Sequence, residues 1–401
     1  MSSGLFSLRT YRLIFAAMNI AFDAKRAYHN QTGLGHYSRT LIRSLAVNFQ
    51  EHQYFLVNPK PSSLFQFHDL PNVKEVLPHT FLSKQFSSVW RSNWIKNDLK
   101  KHNIDLYHGL SHEIPVTIHQ TGIKSVVTIH DLIHERYPEQ YKVVDRQIYT
   151  KKFRYACEHA DKVIAISHQT KEDIIHFYKT PAEKIEVCYQ SCNPAFAVEV
   201  ATDVKQRIKQ HYNLPDQYFL YVGSIIERKN LLHICKAMLL MGSEMNIPLV
   251  VIGNGTDYKK QVKNYIQLNG LSNQVIFLSD QPAAKFSPTF QSAVDFPAIY
   301  QQAIAMIYPS VFEGFGIPVL EALWSRIPVI TSNVSCLPEA GGDGAFYVDP
   351  TKPAEIAEQM KLILNEPLFV QQQVEKGWHH AQKFTNYITA AEVMNVYEQL
   401  I

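Results

Sequence analysis

Residues Tyr308–Leu323 read YPSVFEGFGIPVLEAL. Tyr308-Pro309-Ser310 closes an apolar run, AIAMIYPS (303–310), with the length of a buried strand. Glu313-Gly314-Phe315-Gly316 reads as a loop. Pro318 suits the first turn of a helix, where its missing N–H is no loss, and Glu321 follows one turn later. A strand that runs through a loop into a helix is the unit of a parallel α/β sheet, whose ligands lie outside the carboxyl ends of the strands. Glu313 and Glu321 therefore stand either as solvated acids around a turn or as two acceptors facing one cleft. Ionised carboxylates accept and do not donate, so they would take hydroxyl groups rather than phosphate.

The same unit recurs on both sides of this stretch. YFLVN (54–58), IDLYHG (104–109), SVVTIHD (125–131), KVIAIS (162–167) and KIEVCY (184–189) are short apolar runs, with helical stretches over 37–49, 87–102, 146–159 and 168–178. A polar interval, 193–215, interrupts the series. It resumes with YFLYVGS (218–224), PLVVIGNG (248–255), QVIFLSD (274–280), AIAMIYPS and IPVITSN (327–333). Alternating strands and helices predict two doubly wound, Rossmann-like parallel sheets covered on both faces. The expected division is a first domain to residue 195, a second over 196–385, and a last helix over 386–401 that crosses back to the first. The ligand is expected in the cleft between the domains.

Bulk properties agree with this reading. The chain has 401 residues, 46% hydrophobic and 19% charged, which suits two globular domains. A net charge of +3 gives no field suited to nucleic acid. The five cysteines form no CxxC pair, so reduced thiols and a cytoplasmic setting are expected. At the N-terminus, Arg9 and Arg12 precede LIFAAMNIAF, but this run continues into DAKRAY without a cleavage signal. It reads as a strand over roughly Met18–Asp23, with residues 1–17 an appendage before a start at Met18.

Candidate chemistry gathers at strand ends. Gly33 and Gly35 (GLGHYSR, 33–39) precede a helix from about His36, either as a plain turn or as an anion or hydroxyl site. His130 ends a strand beside Asp131, as a proton-transfer group oriented by that acid or as a buried, satisfied histidine. HGLSH and HDLIH have i, i+4 histidine spacing but lie on strand ends and loops, so no metal site is expected. In YVGSIIERKNL (221–231), Gly223 and Ser224 open the loop, and Arg228 and Lys229 pair a planar fork with a point charge suited to a diphosphate. Hydroxyl acceptors and anion donors at one place describe a nucleotide-sugar pocket.

These motifs, with TIHDL (128–132), AIS (165–167) and VIGNG (251–255), resemble the family-4 retaining glycosyltransferases of bacterial glycan biosynthesis, with the GT-B fold. The resemblance runs over residues 18–350. It departs at Asn254-Gly255-Thr256, and the segment 279–300 is longer than usual beside the expected base pocket. The resemblance implies two domains facing across a cleft and transfer of a sugar from a nucleotide-diphosphate donor to a glycan or lipid-linked acceptor, with retention. It gives His130 and Glu313 to the donor sugar, Arg228 and Lys229 to the departing diphosphate, and Glu321 to the ribose. Gly33, Gly35, Gly223, Ser224, Gly314, Phe315 and Gly316 would line the donor. No DxD occurs, so the cations would replace a metal and no cofactor is expected. The other readings are a silent nucleotide-sugar binder, or an epimerase or phosphorylase on a related fold. Finally, FLSKQFSSVWRSNWIKNDLKKHN (81–103) sets Trp90 and Trp94 one turn apart among lysines. That pattern fits a helix packed on the sheet or one in peripheral contact with the inner face of the cell membrane.

Overall fold

The computed structural model describes residues 16–242 and 247–401, so the expectation for 1–17 falls almost wholly outside the described residues. Thirteen strands form among them: β1 (Asn19–Asp23), β2 (Gln53–Val57), β3 (Val73–Val76), β4 (Leu106–Gly109), β5 (Lys124–Ile129), β6 (Lys162–Ala165), β7 (Ile185–Val187), β8 (Phe219–Val222), β9 (Leu249–Ile252), β10 (Val275–Phe277), β11 (Ala305–Tyr308), β12 (Val329–Ser332) and β13 (Phe346–Val348). They build two sheets, ordered β3-β2-β1-β4-β5-β6-β7 and β10-β9-β8-β11-β12-β13. Every pairing is parallel.

In each sheet the chain starts at the middle, winds to one edge, then returns to fill the other side. The winding reverses between β1 and β4 and between β8 and β11, and such switch points leave a crevice at the strand ends. Central strands are buried on both faces: all four residues of β8, β9 and β11 are buried. Leu220, Val250 and Met306 face one apolar layer of the second domain, and Phe219, Val251 and Ile307 the other. Each such side chain contributes about 1.5–3 kcal/mol by leaving water. Two further layers cover the first sheet, with Phe22 and Leu56 on one face and Ala21 and Val57 on the other.

Two strands lie beyond the sequence expectation. β3 is a four-residue edge strand buried only at its two ends, and β13 has only three residues. Neither carries the continuous apolar run of a central strand. The expected helix over 87–102 forms over 87–101, with a π segment at Trp90–Trp94 between Ser87–Val89 and Ile95–Lys101, and a short turn over Phe81–Gln85 precedes it. The last helix, Asn386–Glu398, leaves the second domain and buries Val393, Met394 and Tyr397 in the first. Tyr397 Oη and His108 Nδ1 lie 2.6 Å apart across that contact.

Candidate functional site

The site is built where β8 and β11 end side by side. After β8 the chain passes Gly223 and Ser224, then makes one tight turn over Glu227–Lys229. Asn230 ends this turn in the left-handed region and donates from Nδ2 to the carbonyls of Pro309 (3.2 Å) and Pro350 (2.6 Å). The turn is thereby fixed against the loop after β11. A Cβ at Gly223 would lie 3.2 Å from the Lys229 side chain, so the turn packs closely on that lysine.

Arg228, Lys229 and Glu313 form one buried cluster. The Glu313 carboxylate lies 3.0 Å from Arg228 and 3.3 Å from Lys229. Lys229 Nζ donates to Tyr308 Oη at 2.6 Å, and Tyr308 donates on to Glu313 at 2.8 Å. Ser310 Oγ donates to the same carboxylate oxygen at 2.8 Å, and Arg228 also donates to the Phe312 carbonyl. Burial alone would raise the Glu313 pKa. Lys229, Arg228 and the two hydroxyls outweigh burial and hold it at about 2. Glu313 is thus not the solvated acid that a plain turn would carry. One buried Arg228 N–H, on Nε, has no acceptor.

Glu321 lies in the helix Ile317–Trp324 and is half-buried. Its carboxylate accepts from Tyr300 Oη at 2.8 Å. Burial pushes it up to about 7, with the Tyr300 hydrogen bond and Lys229 acting the other way. Lys229 therefore feels both acids of the opening stretch. Tyr300 comes from the long 279–300 segment, whose last helix is Phe296–Tyr300.

Across the cleft, Gly314 rests on the first domain. A Cβ at Gly314 would lie 2.2 Å from the His130 carbonyl oxygen. The His130 ring, however, is turned into its own domain. Nε2 lies 2.9 Å from the Leu110 carbonyl, which can only accept, so Nδ1 is the acceptor for Gln190 Nε2 at 2.8 Å. Burial pushes the ring down to about 4, so it is neutral. Gln190, not the adjacent acid, orients it, because Asp131 accepts from the Ile133 amide instead.

The remaining glycine-loop residues divide. Gly35 is packed, since a Cβ there would meet the Asn30 carbonyl at 1.9 Å, while Gly33 has nothing within 4 Å. The helix begins at Gly33, earlier than the sequence suggests, because Thr32 already stands in extended backbone before it. Ser224 is exposed. The Phe315 side chain is buried against Tyr189 and Phe384. Gly316 caps the helix at φ +111, a conformation other residues rarely adopt. Tyr308, Ser310, Tyr300 and Gln190 were not legible as site residues. The first two sit in the YPS that closes β11, but buried hydroxyls leave no distinctive pattern in a sequence. Among the described residues no group of three or more His, Cys, Asp or Glu is placed to hold a metal ion, and no helix is long and apolar enough to cross a membrane.

Two parallel-sheet Rossmann-like domains have the GT-B architecture, and the family matches of both halves make the chain a glycosyltransferase. Both halves match family models of that class: residues 32–196 match Glycosyltransferase Family 4, and residues 204–380 match Glycosyl transferases group 1. O-antigen chain mannosyltransferase B of Escherichia coli is 25% identical over 96% of this chain and 100% of its own. O-antigen chain mannosyltransferase RfbU of Salmonella typhimurium is 28% identical over 60% of this chain and 59% of its own. Among solved structures, HepE of Anabaena in complex with UDP-glucose superposes with a TM-score of 0.71 at 15% identity, covering 95% of this chain and all of that one.

Proposed function

We propose that the cleft transfers a hexosyl group, mannosyl by the relatives' names, from a nucleoside-diphosphate sugar to a hydroxyl of a growing O-antigen-type glycan, with the anomeric configuration retained. The observation that carries this reading is the buried Arg228–Lys229–Glu313 cluster. Two cations share one carboxylate, and Arg228 Nε–H is buried without an acceptor. Two cations on one carboxylate leave a net positive charge at the strand ends, which suits a diphosphate.

In the proposed reaction the bond between the sugar and the diphosphate breaks while the acceptor oxygen attacks the same carbon. The acceptor proton passes to the leaving diphosphate. Arg228 and Lys229 stabilise the charge that grows on that diphosphate, the largest electrostatic task of the step, and no metal is assigned to it. Glu313 meets donor-sugar hydroxyls and Glu321 those of the ribose. His130 contributes through its backbone, which seats Gly314, rather than through its engaged ring. Gly33 and Ser224 stand at the open edges of the donor loops.

A lipid-linked acceptor would bring the protein to a membrane surface, and the first domain carries an exposed apolar face suited to one. Phe81 is 81% exposed, with Leu82, Phe86 and Val89 also exposed and Lys84 among them. Incubating the purified protein with GDP-mannose, UDP-glucose and related nucleotide sugars, and measuring released nucleoside diphosphate with and without acceptor glycan, tests the reaction. Binding without release would favour the silent-binder reading.

A further inference from the structure

Glu339 lies on the short helix Leu337–Gly341 of the second domain, yet its carboxylate is spent on the first. Its oxygens accept from the His168 amide at 2.8 Å and the Gln169 amide at 3.1 Å, the first two of helix His168–Tyr178. Tyr189 Oη donates to it at 3.0 Å. The first amides of a helix have no partners within it and carry its positive end, so a carboxylate is a fitting cap. The same helical turn reaches the donor loop, because Ser167 Oγ donates to the Gly314 carbonyl at 2.7 Å. From the other side, Ser335 Oγ and Cys336 Sγ donate to the Glu313 carbonyl at 2.9 and 3.1 Å. The loop of Glu313 is therefore gripped by residues 335–336 and by the turn at 167–170. Glu339 ties these two grips together.

We propose that Glu339 is a positioning residue that latches the second domain onto the first and so fixes the loop bearing Glu313 for the donor. It acts through that loop and through the closed arrangement of the cleft. Apparent affinity falls by the fraction of molecules in the competent arrangement, so losing the latch weakens donor binding while saturating donor restores closure. The kinetic arm of the inference rests on the donor reading above; the latch itself does not.

Two full-length variants remove the contact from opposite ends. Glu339→Gln leaves an acceptor for one amide only. His168→Pro deletes the other partner, and the first helical position tolerates proline while Ser167 already has the extended backbone that a following proline requires. In ligand-free protein, both variants are expected to speed hydrogen exchange at residues 311–317 as well as 169–171. GDP and UDP binding should weaken about tenfold, the scale of a lost hydrogen bond to a charged group, with KM for the donor rising and kcat within about twofold. The double variant should lose less than the sum of the two single ones, because both weaken one shared contact. Faster exchange at 169–171 with unchanged exchange at 311–317 makes Glu339 a helix cap only and overturns the proposal. If neither nucleotide binds the wild type, the donor reading fails, and exchange still decides the latch. If His168→Pro loses its helical circular dichroism, Glu339→Gln alone decides, and unchanged exchange at 311–317 in it overturns the proposal.

Discussion

Arg228 and Glu313 form a buried ion pair 3.0 Å apart, and Lys229 completes it from the other side at 3.3 Å. A buried carboxylate with two cations is stable as a unit, but its members differ in what their loss exposes.

Lys229→Ala leaves Glu313 with Arg228, Tyr308 and Ser310 as partners. The fold should hold, with a melting temperature close to wild type. Turnover should fall by about 10²-fold or more, since the lost charge opposes one that grows as the bond breaks, and kcat should fall by more than KM rises. Steady-state kinetics on one nucleotide sugar checks this; full activity would remove Lys229 from the diphosphate.

Glu313→Gln should instead unfold readily. It strands Arg228 and Lys229 beside each other, at about 3–5 kcal/mol for a broken buried pair. The folded pKa of Glu313, about 2, lies below its ordinary value of 4.5. Its stabilisation is therefore full above pH 4.5 and lost as pH falls toward 2. Urea midpoints of wild type and variant should differ most near neutral pH and converge in acid.

Glu321→Gln has the opposite sign. The Glu321 pKa is raised from 4.5 to about 7. Its neutral form fits the fold better than its ionised form, so wild-type stability declines as pH rises from 4.5 through 7. The variant should gain on wild type across that window, by on the order of 2 kcal/mol at pH 8. Nucleotide binding should strengthen above pH 7 in wild type, where the ionised carboxylate accepts ribose hydroxyls, and should be flat in the variant. Calorimetry at pH 6 and 8 measures both.

The apolar first-domain face gives a fourth test. Phe81→Glu with Leu82→Glu changes two exposed residues, so stability should stay within about 0.5 kcal/mol. Flotation with anionic liposomes at low salt should be lost. If the wild type itself stays at the bottom, this face does not hold the protein on lipid.

Fold and site were legible to different depths. Central strands such as AMIY and LVVI are apolar throughout because both faces are covered, and that pattern can be read directly. β3, VKEV, is half-exposed and carries no such run. Trp90 and Trp94 misled in both directions: the π-turn, in which the Ile95 amide bonds the Trp90 carbonyl, separates their faces. Trp90 is 1% exposed, donating to Asp98 at 2.7 Å, while Trp94 is 41% exposed. For the site, Arg228, Lys229 and Glu313 stood out by residue type at strand ends. That they pair with one another is a fact of three-dimensional packing, as are Gln190 on His130 and Glu339 on the helix at 168, partners 60 and 171 positions away.

The return of helix Asn386–Glu398 to the first domain means that the chain crosses the cleft twice, once before strand β8 and again beyond Phe384. A single tether would let one body swing and twist freely about the other. Two tethers define an axis, like the two pins of a hinge. Any opening of the cleft would then be a rotation about the line joining the crossings, and closing would bring the Glu313 loop back to His130 along the same arc.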